Sequence, residues 1–116
     1  MAERRAEHLN SLTIISLWVI IFDVIKSFKC KETEKIFQGQ FSNKLPHGIQ
    51  GIAERKLIMI HRAANLNDLR VPPANRLEAL SGSREGQHSI RINKQWRICF
   101  EWREAGVYGV EIVDYH

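Results

Sequence analysis

Hydrophobic and polar residues alternate along the C-terminal part of the chain, in the runs HSIRI, QWRICFEW and VEIVDY. Alternation of this kind predicts β-strands that bury one face. The connections between the runs are short or contain glycine, which indicates hairpins and therefore antiparallel pairing. The predicted strands cover residues 76–80, 87–92, 95–102 and 107–114.

Earlier residues show a helical period instead. Apolar side chains recur three and four residues apart between residues 49 and 64, which predicts an amphipathic helix that ends before the double proline at 72 and 73. Residues 30–39 predict a shorter helix, and residues 24–28 predict a first strand. The order β-α-α-β-β-β-β indicates an α+β domain, in which two helices pack on one face of a small antiparallel sheet.

The predicted strand 95–102 has one apolar and one polar face. The apolar face carries two tryptophans, which we expect in the core, whereas Arg97 and Cys99 fall on the polar face. By the same alternation, Arg91 falls on the polar face of the preceding strand. The two arginines are therefore predicted to share that face, provided that the strand register aligns them.

The N-terminal segment differs in composition from the rest. Its apolar run, residues 12–22, is shorter than the about 20 residues that span a membrane, and no small-residue cleavage site of a signal peptide follows it. The self-contained pattern starts only after Asp23. We therefore expect residues 1–23 to lie outside the functional domain, which would be residues 24–116, with Val24 as an alternative GTG start.

Composition adds little to this picture. The 116 residues suffice for one domain, and the formal charge of +4 suits an anionic partner without identifying one. Cys30 and Cys99 have neither a C-x-x-C spacing nor histidines at zinc-finger spacing, so no metal site is predicted. Two buried thiols are typical of a reducing compartment such as the cytoplasm, and a single disulfide is the alternative, although nothing in the sequence requires one. No membrane contact is expected.

The chain ends on an acid, a phenol and an imidazole, next to the arginines of the predicted sheet. These are the parts that can bind a phosphodiester and move protons around it, which needs groups that transfer protons and a group that stabilises charge on the phosphate. The imidazole of His116 suits the first task, because its ordinary pKa is about 6.5. The guanidinium of Arg97 suits the second, because it can donate two hydrogen bonds to phosphate oxygens.

Structural interpretations compete with each of these assignments. A terminal histidine is often part of a frayed end. The alternative for Arg97 is a solvated strand arginine in an ion pair with Glu101 or Glu111, although the cost of a cationic stripe on a sheet face favours the functional interpretation. Arg84 and Arg91 could bind RNA phosphates without any part in catalysis.

Read from residue 24, the chain resembles the HigB family of toxins, within the RelE/ParE superfamily. The resemblance covers essentially all of residues 24–116. The motifs that carry it are VIKSF, AERKL, LNDLRVPPANRL, LSGSREGQHSIRINKQWRICFEW and the terminal EIVDYH.

The resemblance implies a compact RelE-like, microbial-RNase-like fold and a ribosome-dependent endoribonuclease that cuts mRNA in the A site. The implied cleavage proceeds by attack of the 2′-OH, without metal or cofactor. The implied partners are a HigA-like helix-turn-helix antitoxin, the 70S ribosome with its mRNA, and operator DNA that is reached through the antitoxin.

The resemblance also assigns residues. Catalysis falls to Arg97, Asp114, Tyr115 and His116, and contacts to RNA or the ribosome fall to Arg84, Arg91 and Lys94. Some family members carry a His and a Lys in an L-H-P-L-K-G segment, where this chain has Glu78 and Ser81. The identity of the second proton-transfer group is therefore open, and His88 is a candidate substitute.

Two other functions remain compatible with the sequence. ParE-like relatives poison DNA gyrase and cut nothing, and an inactive homologue would only bind its antitoxin. The terminal D-Y-H together with Arg97 favours the nuclease, because a gyrase-binding protein does not need these residues.

Overall fold

The computed structural model of the protein describes residues 25–115. The predicted extension, the proposed start at Val24 and the candidate proton-transfer residue His116 therefore lie outside the described residues. The elements are the helices α1 (Lys31–Phe37) and α2 (His47–Arg62), and the strands β1 (Glu78–Ala79), β2 (His88–Arg91), β3 (Trp96–Arg103) and β4 (Gly106–Asp114). Three short 3₁₀ turns cover Leu66–Arg70, Pro73–Asn75 and Gly82–Arg84.

The four strands form one antiparallel sheet in the order β1-β2-β3-β4. This confirms the predicted hairpin strands and the α+β class. The β3–β4 pairing contains a bulge, because Cys99 and Glu101 lie opposite Glu111 and Tyr108. The extra residue on β4 is accommodated at Gly109, whose φ of +62° favours glycine.

The predicted first strand is an extended segment that runs parallel to β4. Within residues 25–28, Ile25 and Phe28 form isolated bridges to Val107 and Val110. The β4 bulge lies between the two bridges, and there the N–H of Gly109 donates to the Ser27 hydroxyl at 2.8 Å. Because the ladder is interrupted at this point, the segment does not become a regular strand.

Both helices pack on one face of the sheet. Helix α1 has acidic residues in its first turn, which favours its N-terminal end, and helix α2 begins directly after Pro46. Apolar side chains from α1, α2 and three strands close the core. They include Ile36, Ile49, Ala53, Leu57, Ile60, Ile90, Ile98, Phe100, Val110 and Ile112. Trp96 and Trp102 pack against this core, as predicted.

The connection between α2 and β1 is more ordered than the sequence indicated. Asn65 and Asp68 form a capping box, in which the Asn65 side chain accepts from the Asp68 N–H at 3.2 Å. The Asp68 carboxylate accepts in return from the Asn65 N–H at 3.2 Å. This reciprocal pair opens the first 3₁₀ turn and leads to the buried Leu69 and Asn75.

Within the described residues, no helix combines the length and the apolar character that a membrane crossing requires.

The fold predicts a large stability loss for Phe100→Ala. Phe100 is fully buried in the core, so the substitution leaves a cavity and should lower the free energy of unfolding by about 3–5 kcal/mol. The matched control is Phe41→Ala, because the Phe41 side chain is 53% exposed. Urea unfolding followed by circular dichroism measures both, and similar losses would contradict the assigned core.

Candidate functional site

The face of the sheet away from the helices carries most of the predicted site. Residues that lie opposite each other on paired strands share a face, so the strand register shows which residues lie on this face. We call this surface the arginine face, and by register it contains Glu78, Ser89, Arg91, Arg97, Cys99, Glu111 and Val113. Arg91 and Arg97 lie directly opposite each other, which confirms that they share a face. Like charges in this position repel, so the pair is not explained by stability.

Arg97 is held rigidly at the centre of the arginine face, with only 7% of its surface exposed. Its Nε donates to the Ser89 hydroxyl at 2.7 Å. Its Nη2 donates to the carbonyl of Arg76 at 2.6 Å, and more distantly to the Ser89 carbonyl at 3.5 Å. These neutral acceptors fix the orientation of the guanidinium but do not neutralise its charge.

The charge of Arg97 is only weakly compensated. Glu78 Oε1 is 3.9 Å from Nη2, which exceeds hydrogen-bond range, and the Glu78 side chain is 50% exposed. The alternative pairing with Glu101 or Glu111 is wrong. Glu101 pairs with Arg103, and Glu111 lies 3.4 Å from Arg84 Nη1, because the side chains of β4 and of the third 3₁₀ turn meet there.

No acceptor for Nη1 of Arg97 is found among residues 25–115. A nearly buried cation with hydrogen-bond donors to spare is suited to an anionic ligand such as a phosphate.

Tyr115 lies over this guanidinium. The Cζ of Arg97 is 5.5 Å from the centroid of the tyrosine ring, and the ring remains partly exposed. Gln95 fixes the chain end, because its carbonyl accepts from the Tyr115 N–H at 2.6 Å and its side-chain amide donates to both Asp114 carboxylate oxygens at 3.2 Å. Sequence reasoning missed Gln95, although its position at the start of β3 opposite the chain end could have indicated it.

Asp114 is directed away from Arg97. It lies opposite Trp96, which packs on the helix side of the sheet, whereas Tyr115 lies over Arg97. Adjacent residues of a strand alternate between faces, so the register assigns Asp114 to the face opposite Arg97.

The three predicted binding residues lie at different points around Arg97. Arg84 reaches the arginine face from its 3₁₀ turn, where its Nη1 donates to Gln87 Oε1 at 3.1 Å and lies near Glu111. The Nε of Arg91 donates to the Asn93 carbonyl at 3.0 Å. Lys94 is exposed in the turn that joins β2 to β3, at the same end of the sheet as Arg91.

Cys99 is fully buried in the middle of the arginine face. Burial raises the pKa of its thiol, although the nearby positive charge of Arg84 acts in the opposite direction. Arg97 and Lys29 also act on this thiol as positive charges. Lys29 therefore belongs to the positive surroundings of the site, and sequence reasoning missed it because the segment before α1 is remote from the sheet in sequence.

The candidates for the second proton-transfer group are separated. Glu78 is near Arg97, and Ser81 is exposed at the start of the third 3₁₀ turn. His88 lies opposite Phe100, with the two rings stacked at a centroid distance of 6.3 Å. Because Phe100 points into the core, His88 is on the face away from Arg97.

A buried asparagine supports the loop that contacts Arg97. Asn75 Nδ2 donates to the Leu69 carbonyl at 3.0 Å, and Asn75 Oδ1 accepts from the ammonium group of Lys56. The next residue, Arg76, adopts a left-handed conformation with a φ of +46°, and its carbonyl accepts from Arg97. Asn75 thus links helix α2 to the position of the guanidinium.

Comparison with known proteins decides the family. A family model described as "RelE-like toxin of type II toxin-antitoxin system HigB" matches residues 26–116. This chain belongs to the HigB-like toxin family.

Two curated relatives are similar to this HigB-like toxin. Toxin HigB-1 of Vibrio cholerae is 41% identical over 76 residues, which are 65% of this chain and 80% of the relative. Endoribonuclease HigB of Proteus vulgaris is 30% identical over 93 residues, which are 80% of this chain and 100% of the relative.

A solved structure shares the fold. A chain of the YoeB–YefM complex from Staphylococcus aureus aligns with a TM-score of 0.50 and 22% identity, over 79% of this HigB-like toxin and 94% of that chain. The expected RelE-like fold is therefore confirmed.

Removal of the buried amide should destabilise this HigB-like toxin. Asn75→Ala leaves the Leu69 carbonyl and the Lys56 ammonium group without their partner, which should cost about 1–3 kcal/mol of unfolding free energy. Asn67→Ala is the matched control, because Asn67 is exposed and, within residues 25–115, its side chain accepts only from the Arg70 side chain. Equal urea midpoints for the two variants would contradict the proposed link.

His88 should make stability depend on pH. Burial lowers the pKa of His88, and the positive charge of Arg70 lowers it further. The unfolded chain therefore binds more protons below the ordinary value of about 6.5, and stability falls as the pH drops through that value. His88→Phe removes this contribution. The melting temperature of the variant minus that of the wild type should therefore increase as the pH is lowered from 7.5 to 5.5. Parallel pH curves would contradict this assignment.

Proposed function

We propose that this HigB-like toxin is an endoribonuclease that cuts mRNA in the A site of the translating ribosome. The observation that carries the proposal is the guanidinium of Arg97, which is almost buried, held by neutral acceptors and lies beneath Tyr115. A fixed cation beside an aromatic ring suits one phosphate and its neighbouring base. The name of the Proteus vulgaris relative, Endoribonuclease HigB, supports the same chemistry.

The proposed reaction is an attack of the 2′-oxygen on the adjacent phosphorus. The bond from phosphorus to the 5′-oxygen breaks, which leaves a 2′,3′-cyclic phosphate on one product and a 5′-hydroxyl on the other. Arg97 donates hydrogen bonds to the non-bridging oxygens, where negative charge increases in the transition state. Because its guanidinium is already oriented, it need not reorganise during the reaction.

Proton transfer needs two groups in this scheme. We assign His116 as one of them, because it follows directly on Tyr115, and Glu78 as the other, because its carboxylate is 3.9 Å from Arg97 Nη2. In this assignment Glu78 accepts the proton of the 2′-OH and His116 protonates the leaving 5′-oxygen. Asp114 orients the chain end through Gln95, and Tyr115 stacks on a base.

The remaining assignments concern binding. Arg84, Arg91 and Lys94 would contact phosphates of the mRNA or of ribosomal RNA. The type II family implies an antitoxin, which we propose to be a HigA-like helix-turn-helix protein that also carries the toxin to operator DNA. We place the reaction in the cytoplasm, and we propose residues 24–116 as the functional domain.

Substitution of Arg97 tests the function. The full chain is induced in a bacterial host that lacks the antitoxin, and cuts in a reporter mRNA are mapped by primer extension. Arg97→Ala should lower cleavage by about 10²–10³-fold, because a pre-oriented donor to the transition state is lost. Arg97→Lys should restore little of the cleavage that Arg97→Ala loses, because an ammonium group cannot form the two parallel hydrogen bonds of a guanidinium. Arg62→Ala is the control, because Arg62 is exposed at the end of α2.

The same experiment separates the alternatives. Cuts that disappear when the reporter's start codon is removed would establish ribosome dependence, and cuts that persist would establish cleavage of free RNA. Growth arrest with intact mRNA would reject the nuclease and favour a gyrase poison. Full cleavage by Arg97→Ala at equal expression would exclude Arg97 from the mechanism.

A further inference from the structure

A second arginine–tyrosine pair lies on the same side of the sheet as Arg97. The Cζ of Arg103 is 4.5 Å from the centroid of the Tyr108 ring. Tyr108 lies opposite Glu101, which is two residues after Cys99 on β3. Residues two apart on a strand share a face, so Tyr108 lies on the same face as Cys99 and Arg97. Arg103 is six residues beyond Arg97 on β3, so the two guanidinium groups are separated by about 20 Å along the strand.

The second pair is accessible. The Arg103 side chain is 56% exposed, and its only acceptor among the described residues is the carboxylate of Glu101, which is itself 39% exposed. Exposed ion pairs contribute little, so a phosphate can displace this carboxylate at small cost. A guanidinium that is stacked on a phenol ring also offers a flat surface on which a nucleobase can stack.

Positive charge connects the two pairs. Arg84 lies beside Glu111, between the Arg97 end and the Arg103 end of the β3–β4 ribbon. Arg84, Arg97 and Lys29 act as positive charges on Cys99 in the middle of the face, and Glu111 acts there as a negative charge, so positive charge is in excess. Two aromatic platforms joined by a positive strip form the arrangement by which proteins bind single-stranded nucleic acid.

We propose that Arg103 and Tyr108 form a second RNA subsite, which binds a nucleotide of the same strand at a distance from the cleaved bond. The guanidinium contacts a phosphate, and the base stacks on the Arg103–Tyr108 pair. This proposal rests on the proposed ribonuclease function. Its consequence is that the substrate is held at two points, and that only the Arg97 end takes part in the reaction.

Binding can be measured without cleavage. The full chain that carries Arg97→Ala is titrated against a fluorescent single-stranded oligoribonucleotide at low salt, and anisotropy is followed. Adding Arg103→Ala or Tyr108→Ala should weaken binding about tenfold, since stacking contributes about 1–3 kcal/mol per base. Arg103→Ala should also reduce the slope of log K against log salt by about one. Tyr108→Phe keeps the ring and should bind as the parent does.

The matched control is Arg55→Ala, which removes an exposed positive charge from helix α2. The subsite is overturned if Arg103→Ala and Tyr108→Ala match this control in affinity and salt slope, or if the parent binds no RNA. It is also overturned if RNA binding is unchanged and only antitoxin binding is weakened. Melting temperatures check that each variant is folded.

Cleavage of a reporter mRNA on translating ribosomes, by the protein with Arg97 intact, separates this proposal from the function itself. Arg103→Ala should raise the half-saturating concentration about tenfold and leave the maximal rate unchanged. If the wild type does not cut the translated mRNA but the binding differences persist, the ribonuclease function fails and the subsite stands. If the wild type cuts and Arg103→Ala behaves identically, the function stands and the subsite fails.

Discussion

The site depends on one nearly buried cation. Removing a guanidinium from water is costly unless its hydrogen bonds are replaced, and around Arg97 they are replaced by the Ser89 hydroxyl and the Arg76 carbonyl. Both acceptors are neutral, so they secure the geometry and leave the positive charge largely in place. The result is a guanidinium whose hydrogen-bond donors are fixed in direction and whose positive charge still lacks a negative partner. A phosphate can supply that negative charge.

The fold serves this arrangement from several sides. Pairing of β2 with β3 brings Ser89 beside Arg97, and the end of β4 brings Tyr115 over it. The third contact comes from a loop, where Asn75 ties the chain to helix α2 and the next residue turns its carbonyl toward the guanidinium. Since Ser89 is buried on β2 and Arg76 directly follows the buried Asn75, both acceptors are tied to the packed interior, and they set the position of Arg97.

The sequence predicted the parts of this site that follow from a local period. Alternation placed Arg91 and Arg97 on one face, and helical spacing identified α2. Alternation could also have separated Asp114 from Tyr115, because neighbours in a strand face opposite ways. The acceptors of Arg97 were beyond prediction. Ser89 depends on strand register, and the Arg76 carbonyl depends on a left-handed residue that follows a 3₁₀ turn.

Glu78 shows why the geometry of a charge pair matters as much as its presence. A carboxylate in two-pronged contact with Arg97 would fill the donors that a phosphate needs and would cancel the charge that attracts it. Glu78 is instead 3.9 Å away and half exposed, so it can move while the guanidinium stays fixed by Ser89 and Arg76. An acid at position 78 is thus compatible with phosphate binding, because a neutral hydroxyl and a carbonyl hold the arginine in its place.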